Sequence, residues 1–314
     1  MIGRTNAVSK PGVELSIVVS VTSGAAVTAT KGSKTVNGTA AGGSCVLSLP
    51  EAGTWSVKAT HNGQTSGTKS VTFTDRYAVT LSFVSAVLND NDWATIKKIS
   101  DKGEGANYWS IGDRKAVTLN GTVGHLTLSN YTTYAFIIGF NHNSSLEGSN
   151  RIHFQLAKTA LSGGKDVALC DSSYISYLTT TGYFSMNSSA ANSGGWASSQ
   201  MRTNICGTSL SSYSGTIIAV IPAALRAAIK SVTKYTDNTG VGSTAASAVT
   251  ATTDYFFLLS EYEVFGSISY ANSNEASKQA QYAYYSAGNS AIKYKHDGTS
   301  TAAKWWLRSQ TASY

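Results

Sequence analysis

From residue 13 to about residue 83 apolar and polar positions alternate in short runs. The segments VELSIVVSV, GAAVTATKG, GGSCVLSLPEAG, TWSVKATHNG and RYAVTLSF are separated by Gly, Asn, Ser and Thr. A period of two broken by turn residues predicts strands, with no helical repeat in between. Asn37-Gly38 and Asn62-Gly63 read as hairpin turns, whose central positions need φ > 0. In TWSVKAT the alternation sends Trp55, Val57 and Ala59 inward and Ser56 and Lys58 outward. Residues 1–86 are therefore expected to form a small β-sandwich, an attachment or spacer domain to which no chemistry is assigned.

The pattern changes near residues 84–90. NDNDWATIKKISDKG has Asp and Asn capping candidates ahead of Trp93, Ile96 and Ile99, the marks of a short amphipathic helix. Strands are expected at DRKAVTLNG, YAFIIGFNH, RIHFQLA, TDYFFLLSEYEVFG and KWWLRS. Helices are expected at GWASSQMRTNIC, PAALRAAIKSVTKY and EASKQAQYAYYSA. In the second helix Pro222 is placed at N1, with Leu225, Ile229 and Val232 as the buried stripe. Thr236 to Thr253 has no period and no large apolar residue, and is read as an extended loop. There is no βαβ rhythm and no Gly-rich turn after a strand. Residues 87–314 are accordingly expected to be an α+β domain with a mostly antiparallel sheet.

Composition narrows the function. Charged residues make up 13% of the 314 positions, and Ser, Thr, Asn, Gly, Ala and Tyr take their place. Such a surface suits recognition through Tyr and Trp contact area and adaptable small polar groups, although the same residues also fill loops. The net charge of +7 is spread thinly. No basic run marks a phosphate-tracking groove, so nucleic acid is not expected as a partner. Cys45, Cys170 and Cys206 lack the spacing of a disulfide framework or zinc site. The opening MIGRTNAVSKPGVEL shows no signal-peptide stretch, and no segment approaches the roughly 18 apolar residues of a membrane span.

Candidate chemistry is sparse. His142 in FNHNSS and His153 in RIHFQ are placed where a strand-loop-strand would bring them together. No HxH, HExxH or acidic cluster accompanies them, and no metal or other cofactor is expected. Glu261 and Glu263, read as i and i+2 on a strand, face one side. Their spacing of about 6–7 Å falls in the range of glycosidase carboxylate pairs, about 5–10 Å. The competing reading, and the one preferred, is a structural ion pair with Arg202 or Arg308. Arg151, Arg202 and Arg308 all sit beside bulky apolar residues, where a guanidinium stacks on aromatics and pairs with a carboxylate.

The ordered motifs YWSIGDRKAVTLNG, FIIGFNHN, RIHFQ, GYFSMN, GGWASSQMR, IKSVTKYTD, FFLLSEYEVFG, QYAYY and KWWLRS resemble an uncharacterised domain family. It is found in phage tail proteins and in surface proteins of gut Firmicutes. The resemblance covers roughly residues 90–310 and implies a C-type-lectin-like, formylglycine-generating-enzyme-like module that displays ligand-binding loops. It carries over no catalytic residue. Upstream, LPEAGTWSVKAT resembles the strand-turn-strand of immunoglobulin-like or prealbumin-like modules. Trp305 and Trp306 are expected on a central strand, one on each face, with Arg308 reaching toward an acid such as Glu261. In relatives the Trp-Trp-Leu-Arg-Ser motif is followed by further strands, so the expectation is that this chain is shortened, with a neighbour or a rearranged edge covering the gap.

The expectation is thus a non-enzymatic virion protein, made in the host cytoplasm and acting as a tail-fibre, tail-tip or baseplate receptor-binding protein. The alternatives are a head or tail decoration protein and a carbohydrate-active enzyme using Glu261 and Glu263. Expected partners are other virion proteins, a host-surface carbohydrate or protein, and further copies of the chain in a homo-oligomer; insertion into a membrane is not expected. Candidate contact residues are Asn141, His142, Asn143, Tyr174, Tyr177, Asn192, Trp196, Tyr282, Tyr284 and Tyr285, the aromatic rings stacking on sugar faces.

Overall fold

The computed structural model describes residues 15–74, 77–81, 83–124, 126–156, 185–188, 191–240, 243–294 and 302–310. The chain divides into two compact units, Met1–Ser85 and Ala86–Tyr314. It is rich in β-structure, with several antiparallel sheets and short helices. Among the described residues no helix is long and apolar enough to cross a membrane.

The first unit contains β1 (Ser16–Ser20), β2 (Ala26–Lys31), β3 (Lys34–Thr39), β4 (Ser44–Ser48), β5 (Gly53–His61), β6 (Gln64–Thr65), β7 (Lys69–Phe73) and β8 (Tyr77–Thr80). One sheet runs β4-β1-β8, its β1–β8 pair parallel. The other runs β3-β2-β5-β6, with β7 also on β5. Ile17, Leu47 and Val79 of the first sheet share one core with Val27, Trp55, Val57 and Ala59 of the second. Asn62 and Gly63 take φ 49° and 77° and make the tight turn that the sequence predicts. Asn37-Gly38 does not turn. Both residues lie inside β3, paired with Thr28 and Val27. Gly38 is needed for close approach instead: a Cβ there would lie 2.6 Å from Cys45 Sγ and 2.8 Å from Leu47 Cδ2.

The second unit opens with α1 (Trp93–Asp101), capped by Asp92, whose carboxylate accepts from Thr95 N at 2.6 Å. A sheet follows in the order β11-β10-β9, with β9 at Arg114–Val123, β10 at Leu126–Phe140 and β11 at Ile152–Leu156. The single turn α2 (Ser144–Glu147) links β10 to β11. Asn141 and Asn143 beside it adopt φ 47° and 43°, a left-handed backbone that Asn tolerates. Further along come α3 (Gly195–Ser198), a π-helical turn at Met201–Cys206, α4 (Ile217–Val220) and α5 (Ala223–Arg226). The hairpin of β12 (Val232–Asp237) and β13 (Val249–Asp254) leads to α6 (Glu261–Phe265) and α7 (Ala283–Ser286). Two short strands, β14 (Lys293–Tyr294) and β15 (Ala302–Ala303), pair near the end.

Six expectations are corrected here. The helix expected through PAALRAAIKSVTKY stops at Arg226, Pro222 is its N-cap, and Val232 begins a strand. The loop expected at 236–253 is strand at both ends, Thr236 pairing with Thr250 and Asp237 with Val249, and only the stretch between Asp237 and Val249 connects the two strands. Beyond Val232 the hairpin's inward positions include Lys234, Thr236, Thr252 and Asp254, all buried. An apolar repeat could not reveal strands whose buried faces are polar. The strand expected through FFLLSEYEVFG ends at Asp254, and Ser260 starts a helix through a capping box with Glu263. KWWLRS is not a central strand: Lys304 to Leu307 are irregular, and Trp305 and Trp306 are both half-buried. EASKQAQYAYYSA and GWASSQMRTNIC likewise break into separate short turns.

Candidate functional site

Glu263 is at the centre of the second unit and is fully buried. The capping box places it on the inner side of α6, its backbone N–H donating to Ser260 Oγ at 3.0 Å and its Oε2 accepting from Ser260 N at 3.0 Å. Arg308 grips it with two guanidinium nitrogens, Nη1 at 2.5 Å from Oε2 and Nη2 at 2.8 Å from Oε1. The same guanidinium donates to Thr236 Oγ1 at 2.8 Å and Leu258 O at 2.7 Å. Lys234, inward on β12, spends its ammonium on Glu263 Oε1 (2.8 Å), Glu147 Oε2 (2.6 Å) and the Tyr282 hydroxyl (2.8 Å). Two carboxylates thus face two cations, with their donors and acceptors matched. Such a cluster survives burial only because each charge is paired and hydrogen-bonded. Burial opposes ionisation of Glu263, but Arg308 and Lys234 outweigh it and hold the carboxyl far below its usual range. For Glu147 burial wins over Lys234 and raises the carboxyl.

Two imidazoles border the cluster. His142 stacks on Tyr282 with ring centroids 3.6 Å apart and 13° between planes, and His153 lies 5.6 Å from His142. The strand-loop-strand does bring the two histidines together. The Tyr282 hydroxyl accepts from Lys234 and lies 2.9 Å from His153 Nδ1. Burial, reinforced by Lys234, pushes His142 down to about 3 and His153 well below the ordinary histidine value. Both are neutral in the folded chain at physiological pH.

His142, Glu147 and Glu263 present ligand atoms within 4.8 Å of one another. A divalent cation does not fit among them, because the Lys234 ammonium already bridges the two carboxylates. Adding two positive charges to a neutral buried set would leave Lys234 unpaired.

The carboxylate pair proposed for acid–base chemistry is taken apart by the fold. On a helix, not a strand, positions i and i+2 diverge. Glu263 enters the core. Glu261 turns to a loop, its Oε1 accepting from Ser269 N at 2.8 Å and its Oε2 from Ala271 N at 2.9 Å, with Tyr270 N between them. The structural partner of Arg308 is Glu263, while Arg202 Nε pairs with Asp254 Oδ1 at 2.6 Å. Arg151 departs from expectation, donating to the carbonyls of Ser231 and Ser149 instead of a carboxylate.

Most of the aromatic residues singled out for ligand contact are interior. Trp196 and Tyr282 are 0% exposed. Trp196 Nε1 donates to Asp254 Oδ2 at 3.0 Å, and Tyr285 donates to Gln155 Oε1 at 2.7 Å. Tyr284 and Tyr285 pack edge to face in the core with Phe136. None of these rings, nor buried His142, presents a face to an outside ligand. Asn143 Nδ2 donates to Lys278 O at 3.0 Å, and Asn141 Oδ1 accepts from Arg151 N at 3.2 Å, so both shape the turn around α2. Asn192 is half-buried. Tyr174 and Tyr177 lie outside the described residues.

Two of the concavities among the described residues of this unit bear on the site. An apolar groove of about 320 Å³ is lined by Trp93, Phe154, Tyr255, Phe257, Trp305 and Trp306 among others. Trp305 is anchored in its wall, Nε1 donating to Ala291 O at 3.0 Å. The second, about 380 Å³, lies over Glu261 and is walled by Phe265, Ser267, Ser269, Tyr270 and Gln310. Sequence reasoning missed Glu147, Lys234, Tyr270 and Gln310. The one signal on hand was Ser260-x-x-Glu263, a capping-box spacing that argues for a helix start and against a strand.

No curated protein and no solved structure matches the chain. Over residues 165–314 it is similar to a family described as Domain of unknown function (DUF6273), which takes in most of the charge cluster and the whole of the polar concavity.

Proposed function

We propose that this chain is a non-enzymatic virion protein of a bacteriophage, a tail-fibre, tail-tip or baseplate component that recognises a ligand on the host surface. In this reading the first unit is an immunoglobulin-like or prealbumin-like spacer and the second a C-type-lectin-like binding module. One observation carries it. The two carboxylates considered for acid–base chemistry, Glu263 and Glu261, are committed to a buried ion pair and to backbone amides, while Phe265 and Tyr270 stand 55% and 75% exposed beside a concavity. Exposed aromatics on a polar surface of low charge suit recognition better than turnover.

The test is competition for adsorption. Purified chain is incubated with host cells before phage is added, and free phage is counted. Protection of the cells is the expected result. Binding to the particle without protection would favour a decoration protein, and release of sugar from host envelopes would favour an enzyme.

A further inference from the structure

We propose that the concavity over Glu261 binds a neutral saccharide residue. The proposal rests on the reading of the chain as a surface-recognition protein and names where and what it recognises. Four features of the site lead to it.

Tyr270 and Phe265 leave much of their rings in water, which neither core packing nor helix capping requires. Tyr and Phe rings supply rigid contact area with few torsions to immobilise, and their faces suit the C–H surface of a pyranose. The backbone that carries Tyr270 is held in place, because the Glu261 carboxylate accepts from three successive amides, those of Ser269, Tyr270 and Ala271. A platform fixed before the ligand arrives loses little entropy on binding.

Gln310 lines the same concavity and is 8% exposed. Its Nε2 donates to Asp237 O at 2.9 Å, and its Oε1 is shut away from solvent. Ser267 and Ser269, both exposed on the rim, add hydroxyls able to donate or accept.

Charge selects the class. Glu261 is the sole charged side chain among the described residues that line the concavity, and it is acidic. Arg308, next in sequence to Leu307 and Ser309 of the lining, is turned into the core against Glu263. A sugar acid would meet a carboxylate with no counter-charge, whereas a neutral sugar meets hydroxyls and two rings. The volume of about 380 Å³ lies near the small end of ligand pockets, about 300–1,000 Å³, and fits a short glycan segment.

Saturation-transfer NMR on the full chain tests this, using methyl α-D-glucopyranoside, methyl β-D-galactopyranoside, N-acetylglucosamine and N-acetylneuraminic acid separately at millimolar concentration. Transfer to the ring C–H protons of at least one neutral sugar is expected, with none to N-acetylneuraminic acid. Tyr270→Ala, an exposed position, should weaken binding at least tenfold. The proposal is overturned by absence of transfer to all three neutral sugars, by transfer unchanged in Tyr270→Ala, or by preference for the acid. Adsorption assays separate it from the functional reading. Tyr270-dependent sugar binding by a chain that fails to protect cells keeps the site and removes the host-recognition role. Equal protection by wild type and Tyr270→Ala keeps the role and removes the site.

Discussion

Replacing His142 with Phe keeps a flat ring stacked on Tyr282 but removes the ability to take a proton. Among the groups that face this imidazole are Glu147, Glu263, Lys234, Arg308, His153 and Tyr282. Burial, helped by Lys234, holds His142 at about 3, against 6.5 for an unperturbed histidine. The unfolded chain therefore binds a proton below pH 6.5 that the folded chain refuses until about pH 3. A depressed folded value contributes stability that is present above pH 6.5 and lost on acidification. Between those limits the loss is about 1.4 kcal/mol per pH unit. From pH 7.5 to pH 5.0 the wild type should lose about 2 kcal/mol relative to His142→Phe. With a urea dependence of about 2 kcal/mol per M, that is a midpoint shift of roughly 1 M. Glu147 and Glu275, which burial raises, act with the opposite sign. Both are present in both proteins and drop out of the comparison. Tryptophan fluorescence reports mainly on the second unit, since Trp55 is alone in the first and the other five of the 6 tryptophans lie in the second. The reasoning fails if the gap between the two proteins is the same at both pH values. It fails more informatively if the wild type gains on the variant in acid, because that would make His142 a protonated partner of Glu147, 3.6 Å away.

Other perturbations test the rest of the architecture. Arg308→Met leaves Glu263 with Lys234 alone and should cost about 3–5 kcal/mol in urea unfolding, while an effect under about 1 kcal/mol would mean the cluster is open to water. Gly38→Ala pushes a methyl against Cys45 and Leu47 and should lower stability of the first unit by about 1–3 kcal/mol, read from hydrogen exchange of the β2 and β5 amides. Glu261→Ala removes the acceptor of three amides. Hydrogen exchange at residues 269–271 should then speed up by at least tenfold with the rest of the second unit unchanged.

The first unit was legible because its alternation is apolar against polar, and each inward position is a hydrophobic residue that a period of two exposes. Trp55, Val57 and Ala59 are the clear example. Asn37-Gly38 misled because glycine serves two ends, a positive φ or the absence of a side chain, and only the neighbours decide which. In the second unit the informative positions carry charge. Lys234 looks like a surface lysine in SVTKYTD, and nothing near it in the chain announces Glu147 or Glu263. The aromatic-rich motifs pointed to contact surfaces but supply the core, since Tyr282 and Trp196 bury their rings and satisfy their polar ends internally. Exposed Tyr270 lies in an ordinary Ser-rich stretch. Its presentation depends on a carboxylate nine residues upstream, a relation that no local pattern encodes.

The charge cluster also constrains how the chain is made. Its members emerge in the order Glu147, Lys234, Glu263, Tyr282, Arg308, and Arg308 is the counter-ion that brings the set to neutrality. A nascent chain that has exposed the first four still holds two carboxylates against one ammonium. It cannot close its interior without stranding a negative charge. The second unit should therefore stay open on the ribosome until Arg308 has cleared the exit tunnel, whereas the first unit, whose core contains none of these residues, is free to fold hundreds of peptide bonds earlier.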